Sequence, residues 1–106
     1  MKDEERHYRV ITSTKAGQMV NTPTAFLARV SMKAARRLAD DFLEAARSLE
    51  IFPQRCPWFE SESIPSHTYR YLVLEKRYLV IFLIAEDTVY IDYIIDCRQD
   101  YGWLLK

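Results

Sequence analysis

Residues 69–97 read YRYLVLEKRYLVIFLIAEDTVYIDYIIDC. The stretch is β-branched, aromatic or leucine almost throughout, interrupted by two short charged clusters. Such runs form strands, and the clusters mark tight turns. The pattern predicts strands at about 69–75, 77–85 and 88–97, the last two joined by Glu86-Asp87 as a two-residue turn. That turn sets a register. It places Ile84 opposite Val89, Phe82 opposite Ile91, Val80 opposite Tyr93 and Tyr78 opposite Ile95. All eight share one apolar face, which is the expected core. The other face pairs Leu83 with Tyr90, Ile81 with Asp92, Leu79 with Ile94 and Arg77 with Asp96. A slip of one residue would exchange the faces of one strand, so the apolar pattern argues for this pairing. The second face is an apolar strip edged by charge, a candidate partner surface unless another part of the chain covers it.

Upstream, residues 7–13 read as a short strand around Val10 and Ile11. Ser13 or Thr14 can cap a helix whose stripe runs Ala16, Met19, Val20, Pro23, Phe26, Leu27 and Val30. Pro23 must kink that helix or break it, with Asn21 or Thr22 capping the restart. Ser31 can cap a second helix over roughly 32–50. Its apolar stripe is Ala35, Leu38, Ala39, Phe42, Leu43, Ala46 and Leu49, and its charged residues form a solvated face. The two helices make an αα-hairpin that covers the core face of the sheet. Residues 51–68 carry Pro53, Pro57 and Pro65 and read as a long irregular segment anchored by Phe52, Trp58, Phe59 and Ile64. Residues 98–106 read as a tail docking on the sheet. The expected fold is therefore α+β: an N-terminal strand, an αα-hairpin, then a three-stranded antiparallel meander. The helices lie on one face of a four-stranded sheet.

The bulk numbers bound the function. At 106 residues the chain is read as a single domain over 1–106, and its 49% hydrophobic share supports one core. Fifteen basic residues balance 15 acidic ones, which removes bulk charge as a route to non-specific nucleic-acid binding. The first residues are too charged for a signal peptide, and no run reaches membrane-spanning length, so a cytoplasmic protein without a membrane partner is expected. Cys56 and Cys97 read as free thiols. With His7 and His67 they offer four possible ligands, but the spacing matches no zinc motif, so neither a metal nor another cofactor is expected.

The element order, together with Lys76-Arg77-Tyr78-Leu79-Val80-Ile81-Phe82 and Asp96-Cys97-Arg98-Gln99-Asp100-Tyr101, resembles the RelE/ParE family of toxins from bacterial type II toxin–antitoxin pairs. Tyr78, Val80, Ile81 and Phe82 match the family's central strand. Arg98, Asp100 and Tyr101 match in kind the end of its last strand. The resemblance implies growth arrest, by metal-free cleavage of mRNA on the ribosome or by poisoning DNA gyrase. It also implies a cognate antitoxin that wraps the toxin, in a homodimer or a toxin–antitoxin hetero-oligomer. Two departures stand out. Leu79 occupies the place of the family's strand arginine, and Cys97 that of a frequent histidine.

A metal-free nuclease needs a base, an acid and cations for the phosphate. The candidates are Arg98, Arg77, Tyr101, His67 and Arg70. Asp92 and Asp96 oppose phosphate on the same face, and Arg77 with Asp96 reads as a cross-strand ion pair. Leu79, Ile81, Leu83, Tyr90 and Ile94 are the candidate antitoxin surface. A catalytically degenerate relative and an unrelated α+β interaction module are the alternatives to an active toxin.

Overall fold

The computed structural model describes residues 7–97. Its elements are β1 (Arg9–Thr12), α1 (Thr14–Ala28), α2 (Met32–Ser48), a 3-10 turn (Pro53–Arg55), β2 (Trp58–Phe59), β3 (Tyr69–Leu74), β4 (Tyr78–Ala85) and β5 (Thr88–Asp96). The expected tail, with Arg98 and Tyr101, lies outside the described residues.

Both helix starts follow from serine caps. The Ser13 hydroxyl accepts a hydrogen bond from the Ala16 amide at 3.0 Å, and that of Ser31 from the Ala34 amide at 3.1 Å. Each satisfies one donor that the first helical turn leaves without a partner. Helix α1 runs through Pro23. Proline cannot donate to the preceding turn. The hydroxyls of its neighbours Thr22 and Thr24 donate to the carbonyls of Gln18 and Val20. At the other end of the hairpin, Arg55 Nη1 donates to the carbonyls of Ser48, Ile51 and Phe52, closing the C-terminus of α2.

The sheet has five strands in the order β1-β5-β4-β3-β2, one more than expected. β1 runs parallel to β5, and the other pairs are antiparallel. The added strand is Trp58–Phe59, which pairs with Arg70 and Tyr69. Three prolines hid it, yet Pro57 sits just before the pairing residues, on an edge strand where proline is tolerated.

The predicted register holds for Ile84 with Val89, Leu83 with Tyr90 and Phe82 with Ile91. It then shifts by one residue between Phe82 and Ile81, so that Ile81 meets Tyr93, Val80 meets Ile94, Leu79 meets Ile95 and Tyr78 meets Asp96. Asp92 is the extra residue of a β-bulge. The reason lies in the side chains. Without the bulge Ile94 would face outward and Tyr93 inward. With it Ile94 joins Val80 and Phe82 against the helices, while Tyr93 and Ile95 turn outward.

Two apolar clusters result. The larger lies between helices and sheet and includes Ala16, Val20, Leu38, Phe42, Phe82 and Ile91. Each large side chain buried there contributes about 1.5–3 kcal/mol. The smaller lies on the opposite face, where Phe59, Ile81 and Ile95 are buried beneath Ile64, Tyr69, Tyr71 and Tyr93. Not every residue of the helical stripes is covered. Phe26 keeps 64% and Val30 76% of its surface, and Leu43 is exposed as well.

Candidate functional site

The face of the sheet away from the helices was expected to be an open apolar groove. It is largely filled. Ile81 is fully buried because the 51–68 segment folds over it, with Phe59 and Ile64 packed in the same cluster. Ile94 is 6% exposed, on the helix side, because the bulge turns it inward. These two cannot belong to an exposed surface. Leu79 and Leu83 remain half-exposed and Tyr90 exposed, joined by exposed Val73.

The centre of this face carries a polar pair inside an aromatic frame. Tyr69 Oη donates to Asp92 Oδ2 at 2.8 Å. The Tyr69 and Tyr93 rings meet edge to face at 6.0 Å, and Lys15 Nζ lies 4.2 Å from the centre of the Tyr93 ring. Burial, and then the bond to Asp92, push the Tyr69 phenol well above its ordinary value. Tyr69 therefore stays protonated near neutrality, able to donate a hydrogen bond and unable to act as a base. Neither Lys15 nor the bulged Asp92 was among the sequence candidates for chemistry. The lysine precedes the apolar stripe of α1, and nothing in its neighbourhood foretells an aromatic partner on β5.

The described candidates separate into two places. Arg77 lies at the β3–β4 turn. Its Nε donates to Asp96 Oδ2 at 3.1 Å, and its carbonyl accepts from the Cys97 amide. The expected ion pair forms, though on the diagonal, because the bulge sets Tyr78 rather than Arg77 opposite Asp96. Arg70 and His67 lie together near the other end of β4. Arg70 is paired with Phe82, five positions from Arg77 along the chain, or roughly 16 Å at the rise of a strand. By that pairing Arg70 faces the helix side of the sheet, not the face that holds Tyr69 and Asp92. Its Nη1 donates to the carbonyls of Gln54 and Cys56.

The two thiols differ in access. Cys56 is buried, and burial pushes its thiol up, against a smaller pull from Arg55 and Arg70. Cys97 is exposed. Among the described residues no group of three or more His, Cys, Asp or Glu could hold a metal ion, and no helix is long and apolar enough to cross a membrane.

No family model and no curated protein sequence matches the chain. Its fold does match. A chain of the solved structure described as the chromosomal ParDE TA system from P. aeruginosa superposes with a TM-score of 0.69 at 18% identity, over 85% of this chain and 96% of that one. The strand, helical hairpin and meander laid out above are thus the fold of a chain from a ParDE system, the kind of fold that the resemblance to RelE/ParE toxins implied.

Proposed function

We propose that this chain is the toxin of a type II toxin–antitoxin pair, and that it arrests growth by binding DNA gyrase rather than by cutting mRNA on the ribosome. The observation that carries the choice of target is the separation of the candidate catalytic groups among the described residues, Arg98 and Tyr101 lying outside them. Cleavage without a metal needs a base, an acid and phosphate-binding cations around one bond. Here Arg70 and His67 sit on one side of the sheet near one end of β4, and Arg77 lies at the other end, held by Asp96. Leu79 stands in the place of the strand arginine. The phenol nearest the middle of the outer face, Tyr69, is held as a donor by Asp92. Zero net charge is also unhelpful for docking on RNA. A protein target asks for none of these groups, and the fold likeness to a ParDE chain agrees with it.

The partner that silences the chain is a cognate antitoxin. The surface assigned to it is the part of the outer face left open, Leu79, Leu83 and Tyr90, with Ile81 and Ile94 withdrawn from it by burial. Arg98 remains the candidate for target contact, next in sequence to the Arg77–Asp96 end of the sheet.

The test is induction of the chain alone and together with the reading frame beside its gene. Arrest relieved by co-expression, with cleaved DNA accumulating in a purified gyrase assay, is the expected result. Arg98→Ala should melt as the parent does, bind antitoxin, and permit colony formation on induction. Arrest accompanied by cleaved mRNA and intact gyrase activity would overturn the choice of target. Unimpaired growth of cells induced for the parent chain would leave a degenerate relative.

A further inference from the structure

On the helix side of the sheet, beside the edge strand β2, Gln54, Trp58, His67, Thr68, Arg70 and Ile84 enclose a pocket of about 200 Å³. We infer that this pocket binds the phosphate group of a small phosphate ester, between the Arg70 guanidinium and the His67 imidazole. The inference stands apart from the toxin reading, since the pocket lies across the sheet from the outer face.

The pocket is built for an anion by what lines it and by what does not. Among the described residues that line it there is no carboxylate. The guanidinium of Arg70 lies 3.7 Å above the Trp58 ring, parked by a cation–π contact. Its Nη1 is taken by the carbonyls of Gln54 and Cys56, which fixes the plane of the group. Arginine has five N–H donors in a rigid fork, so Nη2 and Nε remain for a ligand. The imidazole of His67 lies with its ring centre 4.9 Å from that of Trp58, tilted by 49°. The guanidinium and the imidazole are thus arranged around one indole, and a third donor-bearing side chain, Gln54, is oriented by the bond its Nε2 donates to Tyr8 Oη at 2.6 Å.

The backbone adds a second observation. His67 has φ 60, in the left-handed region that few non-glycine residues occupy. Strain of this kind persists where the surroundings over-determine it, and it clusters at ligand sites. The exposed His67 imidazole lies against the Trp58 ring. Trp58 itself keeps 37% of its surface, enough to offer an edge to whatever the phosphate carries. The volume of about 200 Å³ suits a phosphate with part of its ester group.

The experiment follows the Trp58 indole and His67 ring signals by NMR in the full chain. It titrates inorganic phosphate, adenosine 5′-monophosphate and adenosine separately, with ionic strength matched by chloride. Saturable shifts with the two phosphates and none with adenosine are expected. Tighter binding of the nucleotide would identify a nucleotide phosphate as the ligand, and equal affinity would identify free phosphate. Arg70→Gln should weaken phosphate about tenfold, the loss of one charge-assisted bond. Because Arg70 also clasps the loop, His67→Asn is the second variant. Asparagine tolerates the left-handed backbone, so this change removes the imidazole alone, and phosphate should weaken severalfold with an unchanged melt. Failure of phosphate to shift either ring would overturn the inference, as would equal binding of adenosine and its monophosphate, or phosphate binding unchanged in His67→Asn.

Discussion

Replacing Lys76 with glycine should stabilise the domain. Glu75 and Lys76 form the two central positions of the β3–β4 turn, with φ 55 and 58. Two consecutive positive values are the mark of a type I′ turn, whose usual occupants are Asn-Gly. The Arg77 amide closes the turn on the Leu74 carbonyl at 3.1 Å. A residue with a Cβ in this region loses about 1–2 kcal/mol, and a glycine gives back roughly 0.5–1 kcal/mol through its freer unfolded chain. The net gain for Lys76→Gly is therefore about 0.5–1 kcal/mol, or a rise of roughly 3–6 °C in Tm for a domain of this size. Glu75 is left in place because its carboxyl meets Asp41 on α2. Thermal melts of the parent, Lys76→Gly and Lys76→Ala provide the assay. Alanine keeps the Cβ and should give no comparable rise. A Tm for the glycine variant at or below that of the parent would refute the reasoning, and would mean that the turn relaxes without cost around a side chain.

The Glu75 carboxyl is held above its ordinary value by partial burial and by the adjacent Asp41, with Arg37 and Arg77 pulling the other way. A raised carboxyl gives stability that is complete in acid and lost as pH climbs through its folded value, so Glu75→Gln should lessen the fall in Tm between acidic and neutral buffer. Tyr69→Phe leaves the half-buried Asp92 carboxylate without its phenol and should cost about 1.5–3 kcal/mol in urea unfolding; a loss below about 0.5 kcal/mol would show that water replaces the phenol. Ile81→Asp, a charge forced into a sealed site, should fail to fold at growth temperature. Leu83→Asp on the open rim should fold and weaken antitoxin binding, read by co-purification, and unchanged binding would remove Leu83 from that surface.

Much of the fold was legible because period and caps agree. The serines that cap both helices, the Glu86-Asp87 turn and the first three β4–β5 pairs followed from spacing alone. The bulge did not. Alternation over 88–97 looks continuous at either register, since Ile94 and Ile95 are both apolar, and only the choice of which one the helices contact decides it. Strand β2 was hidden by its prolines, although Trp58 and Phe59 were seen as anchors. The site was less legible for a related reason. Arg70, His67 and Arg77 are close in sequence, but the extended run of β3 carries the chain away from Arg70 and His67, so that Arg77 lies at the far end of the strand. Sequence proximity spoke for one constellation where the ladder makes two.

The parallel pairing of β1 with β5 bears on how the chain is made. Arg9 meets Thr88, and Thr12 meets Ile91. Seventy-nine positions (88 less 9) separate the first of these pairs, one of the longest loops a chain of this length can close. During synthesis the helical hairpin emerges long before the strands that cover it. At about 5–20 residues per second, several seconds pass in which Val20, Leu38 and Phe42 have no sheet to lie on. Pairings this remote in sequence also slow the search itself. The finished sheet is thus among the last things the ribosome's product acquires, and β1, made first, is the strand that waits longest for its neighbour.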